Sequence, residues 1–260
     1  MAQEWSRRDL LKTMGALSVG AAMSNQLWAG PMQEADYTWD YTQLPKAGRK
    51  ITAITLGAGS RGNVYGNYAL KHPDELDIIG VAEPIPLRNE RYSKNHNIID
   101  ANRFVTWEHV FTRPKFADAV IITTPDGLHY GPAMKALEMG YDLLLEKPIA
   151  QSWKECNDIL QQAKKYKRIV AVCHVLRYSP YYRKVKEVID SGVLGSIVSV
   201  QHLEPIQHVH MSHSYVRGNW RREEDTNPII LAKSCHDLDI LRWWLGKNCR
   251  YISSFGSLKW

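Results

Sequence analysis

The six residues Gly57-Ala58-Gly59-Ser60-Arg61-Gly62 follow the apolar, β-rich run Ile51–Leu56 and precede a stretch of helical character. A strand that enters a helix through a GxGxxG turn leaves few architectures open. Gly57 permits the tight turn, Gly59 lets backbone approach a phosphate, and Gly62 allows helix and strand to pack closely. The start of such a helix presents unpaired N–H groups and a partial positive charge. Gly57, Gly59, Ser60, Arg61 and Gly62 therefore read as the seat of a dinucleotide pyrophosphate, provided that the surrounding chain alternates strands and helices.

The chain does alternate. After a helix over about 63–72, residues 77–83 read as a second strand ending in Glu83. An acid at that place accepts hydrogen bonds from ribose hydroxyls and favours NAD, while Arg88 and Arg91 leave NADP possible. A helix over 86–96 and a short strand near Phe104 come next. Residues 118–124 form a strong apolar strand that ends in Thr124-Pro125, with His129 following. A helix over about 131–139 stops at Gly140, and residues 141–145 form the strand that delivers Glu146-Lys147-Pro148. Residues 152–166 are amphipathic, with Ser152 and Glu155 spaced as a capping box, and residues 169–174 are the last strand of the set. Such alternation predicts an α/β fold with a doubly wound parallel sheet. Ligands of these sheets lie beyond the carboxyl ends of the strands, which places Lys147 at the site.

The ends and the composition narrow the setting. Ser6-Arg7-Arg8-Asp9 precedes a weakly apolar stretch, residues 13–23, and reads as a twin-arginine export signal with cleavage near Ala29. That stretch is too short for a permanent membrane anchor. The expected location is the periplasm, reached in the folded state. Residues 31–48 read as a linker or arm. The net charge of +6 is dispersed, with no basic run, which argues against nucleic-acid binding. The four cysteines (Cys156, Cys173, Cys235, Cys249) lack metal-type spacing and are expected as free thiols.

Taken in order, the glycine loop, Thr124-Pro125 with His129, Glu146-Lys147-Pro148, and Arg177-Tyr178 ahead of a helix resemble the Gfo/Idh/MocA oxidoreductases, the glucose-fructose oxidoreductase and inositol dehydrogenase group. The resemblance spans residues 50–260. It implies a Rossmann domain over 49–176 and, over 177–260, an α/β domain with a mostly antiparallel sheet that is incomplete at this length. It also implies a tightly held NAD, with NADP possible, a sugar or polyol substrate, and a homo-oligomer. Thr124, Pro125, His129, Glu146, Lys147 and Arg177 join the cofactor site on this basis. Lys147 matches the family's usual active-site lysine. Many family dehydrogenases also carry an aspartate four residues before a histidine of the second domain. Here the histidine is His236, and the aspartate position is Ala232.

His236 has a local argument as well. Ser234 is spaced as the cap of a helix running to Gly246, so the imidazole falls in the first turn. The positive helix end favours its neutral, proton-accepting form there. Lys147 and His236 are thus the candidate catalytic pair. Gly195–Leu203 is strand-like. The segment between it and His236 is rich in His, Arg and aromatics. Tyr178, His213, Arg217, Trp220, Lys233 and Asp239 are the candidate substrate contacts. His208 and His210 would share a face on a strand, but no acid or cysteine completes a metal set with them and His213. The pattern fits hydride transfer between a sugar or polyol and a bound nicotinamide. An NAD-dependent glycosidase and a non-catalytic, nucleotide-loaded sugar-binding protein are the alternatives.

Overall fold

The computed structural model describes residues 48–257. The twin-arginine segment, and the arm as far as residue 47, lie outside the described residues. Six strands, β1 (Ile51–Leu56), β2 (Leu76–Ala82), β3 (Arg103–Phe104), β4 (Ala119–Ile122), β5 (Asp142–Leu145) and β6 (Val170–Val172), form one sheet in the order β3-β2-β1-β4-β5-β6. Every neighbouring pair is parallel. The connecting helices are α1 (Ser60–Lys71), α2 (Pro86–Asn95), α3 (Trp107–Val110), α4 (Tyr130–Glu138) and α5 (Trp153–Tyr166). The chain starts at β1, builds outward to β3, then returns to place β4 on the other side of β1. That reversal opens a crevice between the carboxyl ends of β1 and β4.

Side-chain alternation explains why the central strands are largely apolar. Ile54, Leu56, Val120, Ile122, Leu143 and Leu145 pack into one core, with Ala133, Ala136 and Leu137 of α4. Their neighbours Ala53, Ile78, Val81 and Ile121 pack into the core on the other face, with Ala69 of α1 and Tyr92 of α2. A strand covered on both faces has no polar side to present. Each buried Leu, Ile or Val contributes about 1.5–3 kcal/mol relative to exposure.

The paired strands are shorter than the apolar runs that announce them. Gly57, Glu83, Thr123, Glu146 and Cys173 each stand one residue past the end of β1, β2, β4, β5 and β6. Glu83 and Glu146, both marked by the sequence, are thus residues that leave the ladder at the strand ends. α5 begins as expected: the Glu155 amide donates to Ser152 Oγ (3.2 Å), and Glu155 Oε2 accepts from the Ser152 amide (3.2 Å).

Beyond residue 177 the structure departs from expectation. α6 (Pro180–Asp190), α7 (His208–His210), a π-helical turn (Met211–Val216), α8 (Ile229–Ala232) and α9 (Cys235–Leu245) are formed, and no strand appears there among the described residues. Gly195–Leu203 is β-rich but unpaired, with Val198 96% exposed. A strand exists through its neighbour's hydrogen bonds, and no described segment supplies that neighbour. His208 and His210 lie on a helical turn, not on one face of a strand. Ser234 does occupy the cap position of α9, but its side chain makes no capping bond.

Candidate functional site

The glycine loop is built as a phosphate cradle. Gly57 adopts φ +94°, and a Cβ there would sit 2.8 Å from the Thr123 carbonyl oxygen. A Cβ on Gly62 would lie 2.1 Å from the Gly57 carbonyl oxygen, so that position excludes every side chain. At Gly59 the space is open, with only Arg88 Nη1 at 3.9 Å. No side chain caps the start of α1, which leaves the first-turn amides, Ser60 included, for an anion. Ser60 and Gly59 also border a cleft of about 360 Å³ lined by Asn63, Asn67, Arg88 and Arg91. The open position at Gly59 and the uncapped helix start fit a dinucleotide pyrophosphate.

Glu83 is buried, and it holds the loop from below. Its Oε2 accepts from the Ala58 amide (2.8 Å), and Oε1 accepts from the Ile85 amide (2.9 Å). Each carboxylate oxygen keeps a second lone pair for a ribose hydroxyl. Thr124 and Pro125 leave β4 into a short 3-10 turn, Asp126–Leu128. His129, expected to face the cofactor, is instead 1% exposed. Its Nδ1 lies 2.7 Å from the Pro148 carbonyl and its Nε2 3.0 Å from the Thr124 carbonyl, and a neutral ring donates to one of the two. It packs between the segments that follow β4 and β5.

Arg61 and Glu146, both expected at the cofactor, bind one another. Arg61 Nε donates to Glu146 Oε1 (2.6 Å), and the Tyr65 hydroxyl donates to the same oxygen (2.7 Å). The Lys147 amide donates to Glu146 Oε2 (3.1 Å), and Lys147 Nζ donates to the Ala232 carbonyl (2.9 Å). The departure at Ala232 thereby has a structural answer. The residue is 1% exposed, and its backbone oxygen holds the lysine.

His236 lies in the first turn of α9, as expected. Its pKa falls from 6.5 to about 4, chiefly through burial, then through the charges of Lys147, His174 and Lys233. The imidazole is neutral at pH 7. His174, which the sequence reading passed over, packs edge-on to it with centroids 6.1 Å apart. Burial lowers the His174 pKa too. Nδ1 of each ring is buried without a hydrogen-bond partner, with Asp239 Oδ2 3.8 Å from that of His174. His174 follows the apolar run of β6, so the rule that singled out Lys147 at a strand's carboxyl end could have found it.

The remaining candidates divide. Arg177 and Asp239 form a bidentate pair (2.7 and 2.6 Å), and Arg177 lies over the Trp243 ring. Trp220 Nε1 donates to the buried Asp126 (2.9 Å), which brings the indole to the loop after β4. Lys233 pairs with Glu204 (2.6 Å). Tyr178, His213 and Arg217 are exposed. Thus Lys147, Glu146, His236, His174, Arg177 and Asp239 gather at one end of the sheet, while His213 and Arg217 lie on the surface.

Residues 51–174 match the oxidoreductase family Gfo/Idh/MocA, NAD-binding Rossmann fold, and residues 186–257 match that family's C-terminal α/β domain. The chain belongs to this family. Over 143 residues it is 32% identical to the YteT protein of Bacillus subtilis, covering 55% of this chain and 33% of that protein. Over 201 residues it is 24% identical to the inositol 2-dehydrogenase/D-chiro-inositol 3-dehydrogenase of Lactiplantibacillus plantarum, covering 77% of this chain and 54% of that one. Among solved structures it resembles the WlbA dehydrogenase of Chromobacterium violaceum, determined with NADH and UDP-GlcNAcA. That likeness has a TM-score of 0.63 at 24% identity, over 78% of this chain and 57% of that one. The chain spans roughly a third to a half of the length of these two curated relatives.

Proposed function

We propose that the protein transfers a hydride between a sugar or polyol carbinol carbon and NAD seated on the glycine cradle, with NADP as the possible alternative. The observation that carries this reading is Lys147 Nζ, held by the Ala232 carbonyl at the carboxyl end of the sheet and beside a neutral His236. The bound nicotinamide would supply the hydride acceptor. Lys147 would bind and orient the reacting hydroxyl through the hydrogens not given to Ala232. His236, neutral at pH 7, would take the hydroxyl proton. Arg177 and Asp239, locked together, would shape the wall behind His174. The inositol dehydrogenase among the relatives supports a polyol.

The test is NADH formation from a panel of polyols and sugars, myo-inositol among them. Lys147→Ala should lower turnover by a factor of about 10²–10⁴. Full turnover in that variant would contradict the assignment. Aglycone release from aryl glycosides without net NADH would assign the NAD-dependent glycosidase instead.

The location proposed is the periplasm, by twin-arginine export of the folded, NAD-loaded protein. Its support is Arg7-Arg8 ahead of residues 13–23. Replacing both arginines by lysine should hold the protein in the cytoplasm, and continued export would contradict the route. The oligomeric state proposed, a homo-oligomer, is read by light scattering, where a monomer mass would contradict it.

A further inference from the structure

We propose that Tyr65 is a positioning residue that couples occupancy of the phosphate cradle to the reactivity of Lys147; the inference rests on the nucleotide reading of the glycine loop. Arg61 stands in the first turn of α1, the turn that meets the pyrophosphate. Tyr65 lies four residues on, on the same helix face. Both reach one atom, Oε1 of Glu146, at 2.6 and 2.7 Å. They also bond to each other, Arg61 Nη2 donating to the Tyr65 hydroxyl (2.8 Å), with the guanidinium 5.2 Å from the ring centroid. Glu146 is 5% exposed, and a buried carboxylate is tolerated only when donors surround it. α1 supplies two of those donors, and the Lys147 amide supplies the third, on Oε2.

The phenol is the hinge of this arrangement. It accepts from Arg61 and donates to Glu146, a relay that neither phenylalanine nor an anionic phenolate can make. Burial, helped by Cys173 and Glu146, pushes the phenol above its ordinary range, so the proton stays. The Cys173 thiol beside it, at the end of β6, is pushed up to about 11 by burial and stays neutral. The first turn of α1, the end of β5 and the end of β6 therefore meet at one hydroxyl. Backbone in contact with the phosphates and backbone that carries Lys147 share a single carboxylate. An anion that draws on the first turn of α1 displaces Arg61 and Tyr65, and the shift reaches Lys147 through Glu146. Such coupling acts in both directions.

ADP isolates the effect, because it fills the adenosine and pyrophosphate positions and places no nicotinamide near Lys147. The readout is the rate at which trinitrobenzenesulfonate modifies Lys147, followed by peptide mass spectrometry, in the wild type and Tyr65→Phe. Saturating ADP should change the wild-type rate by about fivefold, the lower end of couplings between sites in one protein. In Tyr65→Phe, ADP should still bind, and the rate should not respond. An equal response in Tyr65→Phe, or no response in wild type that binds ADP, overturns the coupling. Absence of ADP binding to the wild type overturns the nucleotide reading itself, and the coupling with it. Circular dichroism checks the fold of Tyr65→Phe. Should it not fold, Arg61→Lys, which keeps the charge and loses the fork, is required to show the same loss of response.

Discussion

His236 shows how much a single side chain's surroundings decide. An imidazole at a helix start was expected to be neutral because of the helix's positive end. In the structure burial is the larger cause, and the Lys147 charge comes next. Between pH 6.5 and about 4 the unfolded chain holds the proton more readily than the folded one. The contribution of His236 to stability is therefore full above pH 6.5 and is lost as the pH falls toward 4. The groups that face it are Lys147, His174, Lys233 and Glu146. Lys147→Met removes the second cause, so the His236 titration, followed by NMR of the ring proton, should move upward. An unmoved titration would contradict the placement of Lys147 beside it. Gly62, Glu83 and Lys147 were legible because each sits at a fixed offset from an apolar strand. Nothing local marked Tyr65, because its partner Glu146 is 81 residues away, and the contacts of His129 with the Pro148 and Thr124 carbonyls likewise arise only in the folded sheet.

Among the elements, two helix starts make a controlled comparison. Ser152 and Ser234 both carry an acid three residues on. Glu155 bonds back to the Ser152 amide and completes its box. Asp237 is instead engaged by His202 Nε2 at 2.8 Å, and Ser234 makes no capping bond. Ser152→Ala should cost about 1 kcal/mol, whereas Ser234→Ala should stay within about 0.5 kcal/mol. Urea midpoints measure both, and equal losses would contradict the assignment of the caps. The same contrast explains which elements the sequence foretold. α5 announces itself through its local pattern, and the central strands β1 and β4 through burial on both faces. Gly195–Leu203 has the composition of a strand, but pairing is a property of two segments, and composition describes one.

Across the whole molecule, the segments beyond residue 177 meet the Rossmann sheet at its carboxyl edge through a few polar links. Trp220 reaches Asp126, the Gln151 amide donates to the Thr226 carbonyl, and Lys147 reaches Ala232. These links bring α8 and α9 to the crevice where the strand order reverses. Trp220→Phe keeps an aromatic ring but withdraws the N–H from Asp126, which is 5% exposed. Leaving that carboxylate short of a donor should cost about 1–3 kcal/mol, read as a lower urea midpoint. Unchanged stability would show that the indole bond does not hold the two regions together.

Nucleotide binding depends on the cradle at the β1–α1 turn. Calorimetric titration of NAD⁺ into the nucleotide-stripped protein tests it most directly, with Gly62→Ala alongside, because a Cβ at that position would lie 2.1 Å from the Gly57 carbonyl oxygen. The expected result is saturable binding of one nucleotide per chain in the wild type, and its loss in a variant that still folds. Absence of binding to the wild type, or equal affinity in Gly62→Ala, would contradict it.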